Sequence, residues 1–328
     1  MKTRSFGRTG RSVSEVGFGA WAIGGTWGDV PEAQARGALH AALDAGTTFI
    51  DTADVYGDGR SERIIAAVLN EHDGERPFVA TKAGRRLDPH VAEGFTKDNL
   101  NAFVDRSRDN LQMDCLDLVQ LHCPPTEVFY RPDVFAIMDD LIDQGKIKGY
   151  GVSVEKVEEA LKAIEFPNVQ SVQIIYSVFR QRPANLLFRE AKARNVALIA
   201  RVPLASGLLT GKMNAETHFA SDDHRAFNRN GEAFDKGETF SGIPYDLALD
   251  VVEDIRRLVP DNITMAQFAL RWILMEDAIS VVIPGAKTQA QADGNAAASD
   301  VPPLSADTMD ALRGLYETRI APYAHHLW

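Results

Sequence analysis

A single-domain (β/α)8 TIM barrel of the α/β class, spanning residues 1–328 and carrying an N-terminal β-hairpin and extra helices, is the fold this sequence predicts. Three observations predict it. Eight short apolar runs alternate with helical stretches at intervals of roughly 25–45 residues, the rhythm of parallel βα units, and eight such units is the count of a closed barrel. Polar residues stand at or just beyond the C-terminal ends of these runs: Asp51, Lys82, His122, Ser153, Gln173 and Arg201. No linker or low-complexity tract divides the chain, and barrels of this class exceed the usual length of one domain.

Residues 3–16 predict a hairpin with its turn at Gly7 to Gly10. Val16–Gly19 predicts the first barrel strand, followed by a loop rich in glycine and tryptophan. Its glycines do not form a dinucleotide fingerprint, because Ala22 occupies the position where GxGxxG needs glycine. Pro31 to Ala45 predicts a helix, with Asp29 as N-cap and Gly46 as the stop. The strand ending at Asp51 precedes a helix from about Ser61. Strand 78–82 precedes a helix capped by Thr96, and strand 116–122 ends at Pro124-Pro125. Later strands are predicted at 147–152, 169–175, 197–200 and 278–283. Helices are predicted at 132–144, 155–164, 185–194, 246–258, 264–275, 287–298 and 306–318. Residues 205–244 form a connection too long for an ordinary loop, so it is disordered or functional.

The net charge of −11 argues against non-specific nucleic-acid binding and favours solubility. Cys115 and Cys123 have neither metal-site nor disulfide spacing and read as buried reduced thiols. No apolar run approaches the ~20 residues of a membrane helix, and no signal segment follows Met1. A cytoplasmic protein without membrane insertion is expected; the oligomeric state is not legible.

Asp51, Tyr56, Lys82 and His122 arrive from three strand ends, and together they suit carbonyl chemistry. A free phenol has a pKa of about 10, and a neighbouring ammonium favours its phenolate, so Lys82 should lower the pKa of Tyr56. Asp51 would pair with Lys82, and His122 would donate to a carbonyl oxygen. General acid catalysis of this type contributes roughly 10²–10⁴-fold. A Schiff-base aldolase using Lys82 is the competing chemistry, which the nearby Asp51 disfavours. Trp21, Trp27 and Tyr56 could line an apolar cleft, closed by Phe227, Phe234, Phe240 and Trp328; equally, these aromatics could pin loops to the barrel.

The chain resembles the aldo-keto reductase superfamily. The resemblance rests on Asp51-Thr52-Ala53-Asp54-Val55-Tyr56-Gly57 with Ser61-Glu62, on Ala80-Thr81-Lys82, and on Asp117 through Pro124. It continues in Ile147 through Ser153, Pro203 through Lys212, and Ile283 through Lys287 with Asn295. The similar branch is the bacterial one related to potassium-channel beta subunits. The resemblance implies a reductase of aldehydes or ketones that transfers hydride directly from NADPH, with a small-molecule carbonyl substrate. Tyr56 would be the general acid, Lys82 and Asp51 would tune it, and His122 would orient the carbonyl. NADP(H) would lie extended across the barrel mouth. Ser153 and Gln173 would hold its carboxamide, with Trp21, Asp51, Arg201, Val202, Pro203 and Ala205 nearby. Leu204, Ser206, Gly207 and Lys212 would cradle the pyrophosphate. Gly285, Lys287, Gln291 and Asn295 would meet the adenosine 2′-phosphate and adenine, and Arg225 could reach that phosphate. A second role, as a cofactor-sensing subunit of a membrane partner, is the alternative that the branch implies.

Three positions depart from the family pattern. Val154 follows Ser153 in place of Asn or Arg, and Gly294 replaces a common acidic residue. Arg201 stands where an aromatic ring usually stacks on the nicotinamide. Its charge is expected to favour NADPH over NADP⁺.

Overall fold

The computed structural model describes residues 1–25 and 27–328. The hairpin forms as expected: β1 (Thr3–Ser5) pairs antiparallel with β2 (Ser12–Ser14). Eight parallel strands follow in sequential order: β3 (Phe18–Gly19), β4 (Phe49–Asp51), β5 (Phe78–Ala83), β6 (Leu118–His122), β7 (Tyr150–Ser153), β8 (Val169–Ile175), β9 (Ala197–Arg201) and β10 (Ile279–Val282). The first and last strands meet. The Gly17 N–H donates to Val282 O at 2.8 Å and the Gly19 N–H to Pro284 O at 3.0 Å, so the sheet closes on itself.

Helices separate the strands: α1 (Trp21–Gly24), α2 (Glu32–Asp44), α3 (Arg60–Glu71), α4 (Lys97–Leu111), α5 (Pro132–Asp143), α6 (Val157–Ala163) and α7 (Leu187–Ala193). After β9 come α8 (His224–Phe227), α9 (Tyr245–Arg256) and α10 (Met265–Leu274), and after β10 come α11 (Gln289–Ala296), α12 (Ala306–Leu315) and α13 (Ala321–Ala324). Capping residues set several starts. The Thr96 side chain accepts from the Asn99 N–H, and Thr264 with Gln267 forms a reciprocal capping box. Asp29 does not cap α2. Its N-cap is Pro31, without a side-chain bond, and the ring that holds φ at −55° sets the chain's entry into the helix.

Alternation along the strands explains why the site lies where it does. Side chains two apart share a face, and the inward face changes character from one end of the barrel to the other. Phe49 gives way to Asp51, Phe78 and Ala80 to Lys82, Leu118 to Gln120 and His122, and Ala197 and Ile199 to Arg201. The apolar members form one buried cluster with Phe6 and Val13 of the hairpin. The Phe6 ring lies 5.2 Å from both Phe49 and Phe78, so the hairpin seals the N-terminal end. The polar members are left to the C-terminal rim, where barrel enzymes keep their active sites. A larger apolar shell fills the space between strands and helices. Cys123 is buried, but Cys115 is only half-buried; both are free thiols.

Candidate active site

Asp51 is the last residue of β4, and the turn that follows folds Tyr56 back over the barrel mouth. That turn fits only because two glycines meet under it. A methyl group on Gly24 would lie 2.6 Å from Tyr56 Cβ, and one on Gly57, at φ +60°, would lie 1.9 Å from Gly24 O. Lys82 rises from β5 beneath the phenol and is fully buried. Its Nζ donates to Asp51 Oδ2 at 2.6 Å, to Thr52 O at 2.9 Å and to the Tyr56 hydroxyl at 3.3 Å. The His122 ring stands edge-on to Tyr56 with centroids 5.9 Å apart. The four residues read from strand ends therefore converge.

The electrostatics correct one expectation. The Tyr56 phenol is pushed up to about 12, because burial outweighs the pull of the Lys82 ammonium toward the phenolate. Tyr56 thus holds its proton across the neutral range. Burial also works against the charge on Lys82, but Asp51 and Tyr56 more than offset it, and its pKa ends above the ordinary value. His122 is driven well below its ordinary range, first by burial and then by the charges of Lys82, Arg85 and Arg201, so it is a neutral imidazole.

Asp51 is held from its other side as well. Its Oδ1 accepts from Gln173 Nε2 at 2.6 Å and from Gln120 Nε2 at 3.4 Å. The Gln173 amide therefore braces the carboxylate as well as facing the cavity. Ser153 lines the same cavity, its hydroxyl 3.6 Å from Cys123 Sγ.

From Tyr56 and His122 the cavity, about 690 Å³, runs along the loop after β9 to the start of α11. Every residue expected to touch a cofactor lines it except Ala205, which is fully buried. Ala205 opens a short left-handed stretch, Ala205, Ser206 and Gly207 having φ of 48°, 57° and 98°. The turn closes on itself, with the Ala205 N–H donating to Val202 O at 3.1 Å and the Gly207 N–H to Leu204 O at 2.9 Å. The Ser206 hydroxyl holds it in shape, donating to Glu238 O at 2.9 Å and accepting from the Phe240 N–H at 3.1 Å.

At the far end, the Lys287 ammonium bonds to Trp27 O, and its backbone N–H donates to Gln291 Oε1 at 2.7 Å. Burial and the nearby Arg225 lower the Lys287 pKa. Arg225 faces the cavity but is already paired in fork geometry with Asp223, at 2.9 and 2.6 Å. Asn295 donates to Gly285 O at 3.2 Å.

Segment 205–244 is ordered, a chain of short turns rather than a free loop. Asn228 is fully buried and ties it together, accepting from the Ala233 and Phe234 N–H groups at 2.8 Å. Trp21, Trp27 and Tyr56, expected to line the pocket, do so; of the aromatics expected to close it, Phe234 lines it, whereas Phe227, Phe240 and Trp328 do not. Trp328 instead covers the buried Arg180, whose guanidinium carbon is 3.9 Å from the ring centroid.

The sequence reading missed Arg85 and Glu238, both of which line the cavity. Arg85 lies three residues past Lys82 and could have been found by extending the strand-end rule into the loop. Glu238 sits amid the long segment and gave no local signal. It approaches Arg201 at 3.5 Å and Arg85 at 3.6 Å. Arg201 reaches across the mouth from β9, donating to Val154 O at 3.1 Å.

The sequence model described as the aldo/keto reductase family matches residues 15–317. Among curated proteins, the chain is 31% identical to the Bacillus subtilis "Aldo-keto reductase YhdN", covering 89% of this chain and 86% of the relative. It is 27% identical to the Schizosaccharomyces pombe "Aldo-keto reductase yakc [NADP(+)]", covering 88% and 83%. Among solved structures, the holo form of "aldo-keto reductase AKR11C1 from Bacillus halodurans" superposes with a TM-score of 0.76 at 25% identity over 96% of both chains.

Proposed function

Because the chain belongs to the aldo/keto reductase family, we propose that it reduces aldehydes or ketones to alcohols with NADPH. The convergence of the Tyr56 hydroxyl, Lys82 Nζ and the Asp51 carboxylate at 2.6–3.3 Å, beside His122 at one end of the long cavity, carries this reading.

The donor set fits the cofactor. The cations Lys212, Arg225 and Lys287 along one end of the cavity suit a molecule with phosphates there. Ser153, Gln173 and Arg201 lie at the other end, near the phenol. The name of the fission-yeast relative includes NADP(+), which supports the same choice. When bound, NADPH would supply the hydride.

The chain's own residues do the rest. Tyr56, protonated through the neutral range, gives its proton to the carbonyl oxygen as negative charge develops there. Lys82 stabilises the phenolate left behind, and Asp51 keeps that ammonium charged and aimed. His122, neutral, offers an N–H to the same oxygen and fixes its direction. Gln173 and Gln120 hold the second oxygen of Asp51 and so stiffen the array.

The test is Tyr56→Phe, followed by NADPH absorbance over a screen of aldehydes and ketones. We expect kcat to fall about 10²–10⁴-fold with NADPH affinity kept and stability changed by about 1 kcal/mol or less, since the hydroxyl makes one long hydrogen bond. Full activity in Tyr56→Phe would refute the role of Tyr56. Turnover with NADH alone would refute the choice of cofactor.

A further inference from the structure

Two guanidinium groups stand in the wall of the cavity beside the proposed proton donor, and nothing in the reduction just described uses both. Arg85 comes from the loop after β5 and Arg201 from the end of β9. Their acidic neighbours are Glu238, which lines the cavity, and Glu155, which does not. The contacts are loose: Arg85 to Glu155 at 3.4 Å, Arg85 to Glu238 at 3.6 Å and Arg201 to Glu238 at 3.5 Å. A well-made guanidinium–carboxylate fork closes to about 2.7–2.9 Å, as Arg225 and Asp223 do nearby. Arg201 is 7% exposed, and its Nε is buried with no hydrogen-bond partner among the described residues. A buried N–H left unpaired costs free energy comparable to a lost hydrogen bond, so an acceptor brought by a guest would be favoured here.

The charge balance has the same sign. Burial pushes Glu155 up to about 8, helped by Glu238 and Asp235. Its carboxyl is therefore a weaker counter-charge to the two guanidinium groups than an ordinary carboxylate. A cation is the wrong guest. Cys123, Glu155 and Glu238 do lie within 4.8 Å of one another, but both arginines lean on that cluster.

We infer that the carbonyl compound reduced here carries a carboxylate, received by Arg85 and Arg201 while Tyr56 and His122 hold its carbonyl oxygen. Glu238 occupies that place by default and yields it when the substrate enters. The substrate assignment rests on the proposed reductase activity, whereas the carboxylate seat at Arg85 and Arg201 does not.

The experiment compares aldehydes matched in length, 4-oxobutanoate with butanal and 5-oxopentanoate with pentanal, in NADPH consumption by the full chain at pH 7. Calorimetry of succinate and of uncharged succinamide with the NADPH-loaded protein runs beside it. The expected result is a kcat/KM at least about 10-fold higher for one or both carboxylate aldehydes than for its neutral partner, the size of a charge-assisted hydrogen bond. Arg85→Gln should reduce that ratio at least about 5-fold and Glu238→Gln should raise it. Succinate should bind and succinamide should not. If the neutral aldehydes are reduced and neither carboxylate is preferred, the inference is overturned and the reductase reading stands. If no aldehyde is reduced, the reductase reading falls and the substrate assignment with it; the carboxylate seat alone then stands if succinate binds and Arg85→Gln abolishes that binding, and falls if succinate does not bind.

Discussion

The buried pair of Asp51 and Lys82 makes the sharpest prediction, because each charge depends on the other in a different way. Lys82 is 1% exposed and Asp51 3% exposed, and their contact is 2.6 Å. Breaking a buried ion pair by removing one partner costs about 3–5 kcal/mol, since it strands the other charge. Lys82→Met strands a carboxylate that still has the amides of Gln173 and Gln120, so its cost should fall near the lower end, about 3 kcal/mol. Asp51→Asn strands an ammonium whose remaining partners are the Thr52 carbonyl and the Tyr56 hydroxyl. It also turns an amide N–H₂ toward either Lys82 or Gln173, both of which are donors. Its cost should lie near the upper end, about 5 kcal/mol. The double variant removes both charges and should cost about 2–3 kcal/mol less than the sum. At about 2 °C per kcal/mol for a chain of this size, the single shifts in Tm are about 6 and 10 °C, and the double falls short of their sum by about 4–6 °C. Thermal melts of the four proteins at pH 7 measure this. Shifts that add to within about 1 °C would show that the two charges do not share a bridge, and the ordering of the active site around Lys82 would be wrong.

Asp54 yields a pH dependence. Both of its oxygens are buried without a hydrogen-bond partner among the described residues, and burial, with Glu62, pushes its pKa from the ordinary 3.8 to about 7. The folded state then keeps a proton that the unfolded chain releases, so stability falls as pH rises from about 4 to about 7 and is level beyond, by on the order of 4 kcal/mol. Asp54→Asn should raise Tm at pH 7.5 and leave it little changed at pH 4.5; equal shifts at both would contradict the assignment. Gly57→Ala should cost about 1–3 kcal/mol from the left-handed backbone and the clash with Gly24 O. It should lower kcat more than 10-fold by moving Tyr56 while NADPH still binds, and an unchanged kcat would show that the turn has room to spare. Arg201→Phe should narrow the preference for NADPH over NADP⁺ expected from the guanidinium charge, read by calorimetry of both forms; an unchanged ratio counts against that effect.

Much of this was legible because a barrel strand writes its own geometry. A run such as Phe78 to Lys82 tells which side chains share a face and which one reaches the rim. The same rule placed Asp51, His122, Ser153, Gln173 and Arg201 on the cavity. It could not weigh burial against charge, and so the direction of the Tyr56 shift came out reversed. Nor could it see contacts between distant segments. Glu238 meets Arg201 and Arg85 only because Asn228 and the Ser206 hydroxyl fold the long segment back. Asp29 matched a capping pattern, but Pro31 was already placed to start the helix.

The Ser206 hydroxyl joins the left-handed turn at Val202–Gly207 to the chain at Glu238–Phe240 with its two hydrogen bonds. One oxygen atom therefore pins the turn after β9 to the backbone that carries Glu238, and two stretches of chain more than thirty residues apart meet the cleft as a single wall.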